Sequence, residues 1–239
     1  MTAQIARSGS QMRLEVTDSS HVGQCRREAQ RLADAWHFDA TSAGRVAIVA
    51  TELATNLVRH GGGGELLVQP VADGPATQLE LLAIDRGPGM GSLQTSLRDG
   101  HSTKGSAGTG LGAVSRLSAV FDAYSRAGAG TGVLSRVAAR SRTTRRPQDL
   151  ELGTISVAVR GEPVCGDAWS IACQDGRQAL LLVDGLGHGI LAAAAATVAV
   201  TAFGERPFAE PEDAMRELHR QLNGTRGAAG ACAILDPEK

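Results

Sequence analysis

Apolar residues recur along the first half of the chain with two periods. Val46, Val49, Leu53 and Leu57 fall at helical spacing, so residues 41–59 are predicted as an amphipathic helix, and a second helical pattern covers residues 22–36. Strand patterns occupy residues 12–16, 65–71 and 78–85, the last being the run Leu79-Glu80-Leu81-Leu82-Ala83-Ile84 that ends at Asp85. A short helix is predicted at 113–117, with strands at 120–125 and 131–137 after it. Residues 90–107 are polar and glycine-containing. They are long for a connection inside a compact domain and are expected to act as a lid. Helices lying mostly on one face of a mixed sheet make this an α/β fold, an α+β sandwich.

The pattern changes at residues 139–148, where Arg140, Arg142, Arg145, Arg146 and Pro147 are poor material for a core and good material for an exposed connection. The organisation is therefore read as one domain over residues 10–138, a linker over 139–150 and a second, partial domain over 151–239. The second opens with a strand pattern at 153–159. A strand pair follows at 169–174 and 178–183, joined through Asp175-Gly176, a strong hairpin signal. An alanine-rich helical stretch, residues 190–203, closes the readable pattern.

Composition narrows the class. The 239 residues suffice for one large or two modest domains. A formal net charge of -1 argues against a nucleic-acid partner, and 42% hydrophobic content supports packed cores. Cys25, Cys165, Cys173 and Cys232 are scattered without a CxxC pair, as expected for reduced thiols in the cytoplasm. There is no signal-peptide pattern, and residues 190–203 are too short a run to cross a bilayer, so no membrane partner is expected.

The candidate chemistry lies in three boxes. Glu52 and Asn56 stand four apart and project from one side of the predicted helix. A carboxylate there can deprotonate an attacking hydroxyl, and an amide oxygen can ligate magnesium. Alone, such a pair is more often a solvated helix face. Asp85-Arg86-Gly87-Pro88-Gly89 follows a strand, and Gly87 and Gly89 let the backbone pass close to a ligand. Gly108-Thr109-Gly110-Leu111-Gly112 precedes a helix whose terminal amides point at an anion. Lys104, in the lid, is a further candidate for a terminal phosphate.

In this order and spacing the boxes resemble the nucleotide-binding boxes of the GHKL (Bergerat-fold) ATPases. The resemblance covers roughly residues 10–138. The segment Thr51-Glu52-Leu53-Ala54-Thr55-Asn56-Leu57-Val58-Arg59-His60-Gly61 and the compact size are most similar to the anti-sigma serine kinases. Few residues precede the first predicted strand, which disfavours a sensor histidine kinase, and nothing like a topoisomerase transducer follows. The resemblance implies ATP and Mg2+ as cofactors and Glu52 as catalytic base. Asn56 would be the metal ligand and Asp85 would accept from the adenine amino group, with Gly87 and Gly89 beside it. Gly108, Thr109, Gly110, Leu111, Gly112 and Lys104 would complete the ATP-binding set. The implied substrate is a serine of a STAS-type anti-sigma antagonist.

Cys165-Gly166-Asp167-Ala168-Trp169 and Asp184-Gly185-Leu186-Gly187-His188-Gly189 resemble motifs of the SpoIIE-type metal-dependent serine/threonine phosphatases. That likeness implies Asp167 and Asp184 as carboxylate ligands and Gly185 as a carbonyl ligand to Mg2+ or Mn2+. His188 is read as a capping or packing residue in preference to a ligand. The chain reaches Asp236-Pro237-Glu238-Lys239 before the further acidic ligands that such a phosphatase uses, so phosphatase activity is not expected. Uncovered strand edges are expected to offer a pairing surface, compatible with a homodimer. Two alternatives remain beside the kinase: a SpoIIE-type phosphatase regulated by an ATP-binding domain, and a non-catalytic module that binds a sigma factor or its antagonist.

Overall fold

The computed structural model describes residues 4–7, 11–73, 76–90, 110–139 and 153–236. These divide into two compact units: residues 12–70 and 76–139 in one, and residues 4–7, 11, 71–73 and 153–236 in the other.

The first unit is built on the two helices that the pattern predicts. Helix α1, Ser19–Ala35, starts where the Asp18 side chain accepts from the Ser20 amide at 2.8 Å. Helix α2, Ala40–Arg59, starts where Asp39 accepts from the Ser42 amide at 2.8 Å. These capping bonds hold both carboxyls below their ordinary pKa, Asp18 through the Ser20 side chain first and Asp39 through the Ser42 backbone. The stripe Val46, Val49, Ala50, Leu53, Ala54 and Leu57 is buried, as its spacing requires.

Strands β2 (Met12–Val16), β3 (Gly64–Asp73), β4 (Ala76–Asp85), β5 (Val120–Arg126) and β6 (Gly130–Ala138) form a sheet in the order β2-β3-β4-β6-β5. The pairs β2–β3, β4–β6 and β5–β6 are antiparallel, where a mixed sheet was expected. β5–β6 is a hairpin joined by residues 127–129, whereas β2–β3 and β4–β6 pair antiparallel across intervening helices, two of them (α1 and α2) between β2 and β3. Helix α3 is Gly110–Leu117. Leu66, Val68, Leu79, Leu81, Ala83, Val133 and Val137 meet the helices in one core. On the opposite sheet face Glu80, 4% exposed, accepts from Gln69 Nε2 at 2.8 Å and from Arg136 Nε at 2.7 Å, with Arg136 directly across the ladder.

The second unit holds an antiparallel sheet ordered β1-β7-β8-β9, from Gln4–Arg7, Asp167–Gln174, Arg177–Gly185 and Ala228–Leu235. The β7–β8 hairpin closes through Asp175 (φ 50) and Gly176 (φ 80), the double positive φ of a type I′ turn. Helix α4, Ile190–Glu205, is apolar nearly all round and places Ala192, Ala195, Ala196, Ala199, Val200 and Phe203 in the core. Helix α5, Pro211–Gln221, which the pattern reading passed over, carries its own signature: proline at its start, Glu212 and Asp213 in the first turn, His219 and Arg220 in the last.

One predicted strand is absent. Residues 153–159 form no strand; Ile155 and Val159 are 60% and 62% exposed. The edge of β7 is occupied instead by β1, which pairs with residues 170–173. Residues 153–159 are held by side chains: the Ser156 amide donates to Gln11 Oε1 at 2.9 Å, and the Ser156 hydroxyl donates to the Asp167 carbonyl at 3.2 Å.

Candidate functional site

The first unit gathers its chemistry where α2, β4 and α3 converge. Glu52 and Asn56 lie one turn apart on α2, both half-buried, while Leu53 and Leu57 beside them are sunk in the core and fix the helix rotation. Gly110 opens α3 directly against that pair. A Cβ placed on Gly110 would stand 3.4 Å from Glu52 Oε2 and 3.5 Å from Asn56 Oδ1. The short helix was expected to begin at residue 113; it begins at 110, so Gly110, Leu111 and Gly112 form its first turn. Their amides are among those a helix cannot satisfy internally. Gly112 is buried.

Asp85 ends β4, and its Oδ1 accepts from the Gly87 amide at 2.8 Å, which folds the chain back at the end of the strand. Gly61, just past α2, lies so close that a Cβ there would be 2.5 Å from Asp85 Cβ; one on Gly87 would be 2.8 Å from the Gly61 Cα. The end of α2 and the Asp85 turn are thus in backbone contact. Gly89, at φ +70, packs with its Cα over the Arg126 carbonyl, so only glycine fits.

Asn56 Nδ2 is buried and has no hydrogen-bond partner among the described residues. An amide whose oxygen faces Gly110 and whose nitrogen lacks a protein partner fits a group that binds a hydrated cation and phosphate oxygens. Glu52 and Asn56 lie against Gly110, which opens α3 with Leu111 and Gly112; Asp85 and Gly87 lie against Gly61 just past α2, and Gly89 packs on Arg126. Lys104, Gly108, Thr109 and the expected lid from residue 91 lie outside the described residues.

Three participants were missed from the sequence. Gly61 is one. Ser125 is another: its hydroxyl accepts from the Met90 amide at 2.7 Å and lies 3.0 Å from the Thr131 hydroxyl. Thr131 is the third, paired across the ladder with Asp85. Ser125 thus anchors Met90, where the expected lid begins. The available signal was the strand pairing of 120–125 with 131–137, which the pattern predicts but which was not followed to the Asp85 end.

In the second unit Asp167 and Asp184 face each other directly across β7–β8, and the Gly185 amide donates to the Gly166 carbonyl at 3.1 Å. A groove of about 370 Å³ runs beside them, lined by Ser156, Trp169, Leu182 and Ala231 among others. Among the described residues no three His, Cys, Asp or Glu side chains cluster tightly enough to hold a metal ion. His188 neither caps nor packs: its side chain is 76% exposed, and its Nδ1 pairs with Glu162 Oε1. The same carboxylate lies close against Gly189, the N-cap of α4, where no side-chain capping bond forms.

Among the described residues no helix is long and apolar enough to cross a membrane. A sequence profile of the histidine kinase-like ATPase domain matches residues 5–137. The chain is also similar to the serine/threonine-protein kinase RsbT of Bacillus subtilis (strain 168), 35% identical over 96 residues, which is 40% of this chain and 72% of that protein. With the profile spanning more than half of the sequence and its boxes converging in one unit, the chain belongs to the histidine kinase-like ATPase family.

Proposed function

We propose that the first unit is an ATP-dependent protein serine kinase of the kind RsbT is named for, and that its substrate is a serine on a STAS-type anti-sigma antagonist. The observation that carries this reading is the placement of Gly110 within 3.4 Å of Glu52 Oε2 and 3.5 Å of Asn56 Oδ1. It sets a helix N-terminus, a carboxylate and an amide oxygen around one point. In the proposed reaction ATP enters with its adenine amino group on Asp85 and its phosphates on the amides of residues 108–112. Glu52 takes the proton of the attacking serine hydroxyl, the hydroxyl oxygen bonds to the γ-phosphorus, and ADP leaves. Asn56 Oδ1 would hold Mg2+, which when bound neutralises phosphate charge.

The test is transfer of labelled phosphate from ATP to a panel of purified STAS-domain proteins by the wild-type chain and by Glu52→Gln. The variant is expected to bind ATP with unchanged affinity and to lose transfer by about a hundredfold or more. Equal transfer by both proteins would leave Glu52 a spectator. ATP binding without transfer to any serine would favour a module that sequesters a sigma factor or its antagonist.

A second reading concerns residues 153–236. Asp167 and Asp184, opposite each other and followed by the Gly185 carbonyl, favour a SpoIIE-like phosphatase module under the control of the ATP-binding unit. Two carboxylates are fewer than a pair of divalent ions needs, so the chain is expected to show background phosphoserine hydrolysis in Mn2+. Hydrolysis abolished by Asp184→Ala would establish the phosphatase.

A further inference from the structure

The ladder registers put Asp85, Thr131 and Ser125 in one row across three neighbouring strands: Asp85 pairs with Thr131 in β4–β6, and Thr131 pairs with Ser125 in β5–β6. At adjacent-strand spacing the two ends of that row stand roughly 10 Å apart. The chain leaves Asp85 at the end of β4 and arrives, five residues later, at Met90, whose amide donates to Ser125 Oγ at 2.7 Å. Residues 86–90 therefore cross the end of the sheet from β4 to β5, past the start of β6. Three ties fasten them to the β5–β6 hairpin. The Gly128 amide donates to the Pro88 carbonyl at 2.8 Å, Gly89 packs on the Arg126 carbonyl, and Ser125 takes the Met90 amide. At the start of the crossing Gly130 (φ +102) lies against the Asp85 carbonyl, so closely that no Cβ fits there.

Two of the three ties are made by backbone; Ser125 supplies the one made by a side chain. One lone pair of its hydroxyl takes the Met90 N–H. The hydroxyl hydrogen has acceptors in Thr131 Oγ1 at 3.0 Å and the Gly130 carbonyl at 3.3 Å. With one bond in and one bond out, Ser125 Oγ is held by the same two residues that flank Asp85 on β6. The near end of the crossing is fixed by the 2.8 Å bond from the Gly87 amide to Asp85 Oδ1, and the far end by Ser125.

We propose that Ser125 is a positioning residue of the nucleotide site: without touching ATP it holds residues 86–90 in place, and so holds the Asp85 carboxylate in the orientation that receives adenine. This role rests on the assignment of Asp85 to the adenine amino group. It places Ser125 on the base side of the nucleotide, so loss of its hydroxyl weakens every adenine nucleotide by the same factor, whatever the number of phosphates.

Threonine and valine have the same shape, both favour strands, and they differ in the hydroxyl alone, so Ser125→Thr and Ser125→Val isolate it. Calorimetric titration of the full chain with Mg-ATP and with Mg-ADP is expected to leave Ser125→Thr within about twofold of wild type. Ser125→Val is expected to bind both nucleotides roughly tenfold more weakly, the scale of one part-buried amide left unpaired. Hydrogen exchange at the Met90 amide of the nucleotide-free protein should quicken in Ser125→Val and not in Ser125→Thr. Ser125→Ala gives the same comparison without added bulk in β5. Folded Val and Ala variants that bind as tightly as wild type overturn the proposal and leave the assignment of Asp85 standing. So does a loss confined to ATP with ADP unchanged, which moves the role to the phosphates, or a Thr variant as weak as the Val variant. A wild-type chain that binds neither nucleotide removes the ATP reading itself, and the role of Ser125 with it.

Discussion

Gly61→Ala isolates the contact that positions Asp85. The added Cβ would stand 2.5 Å from Asp85 Cβ, 2.8 Å from Asp85 Cγ and 2.9 Å from the Leu57 carbonyl oxygen. No flexible side-chain end is involved, so either the carboxylate or the end of α2 must move by about 1 Å, a displacement costing roughly 1 to 3 kcal/mol of stability in overpacked sites. If Asp85 accepts from adenine, moving it weakens a charged hydrogen bond worth about 1.5 to 3 kcal/mol, or roughly ten- to hundredfold in ATP affinity. Gly62→Ala is the control. At φ +68 it strains the backbone, but its Cβ would meet nothing within 4 Å, so it should lower the melting temperature and leave ATP affinity unchanged. Calorimetric titration with Mg-ATP, paired with thermal denaturation, separates the two effects. A folded Gly61→Ala protein that binds ATP as tightly as wild type would refute the link between this contact and the nucleotide.

Other outcomes follow from single contacts. Gly44 lies within α2 with open space around its Cβ position, so Gly44→Ala should stabilise the first unit by about 0.5 to 1 kcal/mol in denaturant titrations. Removing Arg136 as Arg136→Ala leaves the buried Glu80 carboxylate with only Gln69, and urea unfolding should show a loss of about 3 to 5 kcal/mol, the scale for an uncompensated buried charge. Burial pushes the Cys25 thiol up to about 11 from 9.0. The unfolded chain therefore releases this proton first, so stability is unaffected below pH 9 and falls between pH 9 and about 11; Cys25→Ala should flatten that part of the stability profile.

Helix α2 and strand β4 were legible because each carries its own period. The buried stripe from Val46 to Leu57 and the run from Leu79 to Ile84 describe local geometry that tertiary contacts reinforce. Asp175-Gly176 was legible for the same reason, since an I′ turn depends on the φ of two residues alone. Residues 153–159 show where such reasoning ends. Their apolar content is that of a strand, but a strand is a pairing, and the edge of β7 went to Gln4–Arg7, about 160 residues earlier in the chain. No window over 153–159 contains that competitor.

The candidate site divides along the same line. Glu52, Asn56, Asp85 and the glycines of each box are proposed from the sequence because a residue type at a fixed spacing is enough to mark a candidate. Gly61, Ser125 and Thr131 act through pairings across the fold: a backbone approach, a hydroxyl on the Met90 amide, a ladder position opposite Asp85. Gly61 was in view, inside the segment that prompted the kinase likeness, yet its position after α2 reads equally as a helix stop. What distinguishes a stop from a contact is the 2.5 Å to Asp85, and that distance exists only once β4 has been laid beside α2. Positioning residues of this kind emerge from the fold, because their chemistry is inert and only their lack of volume matters.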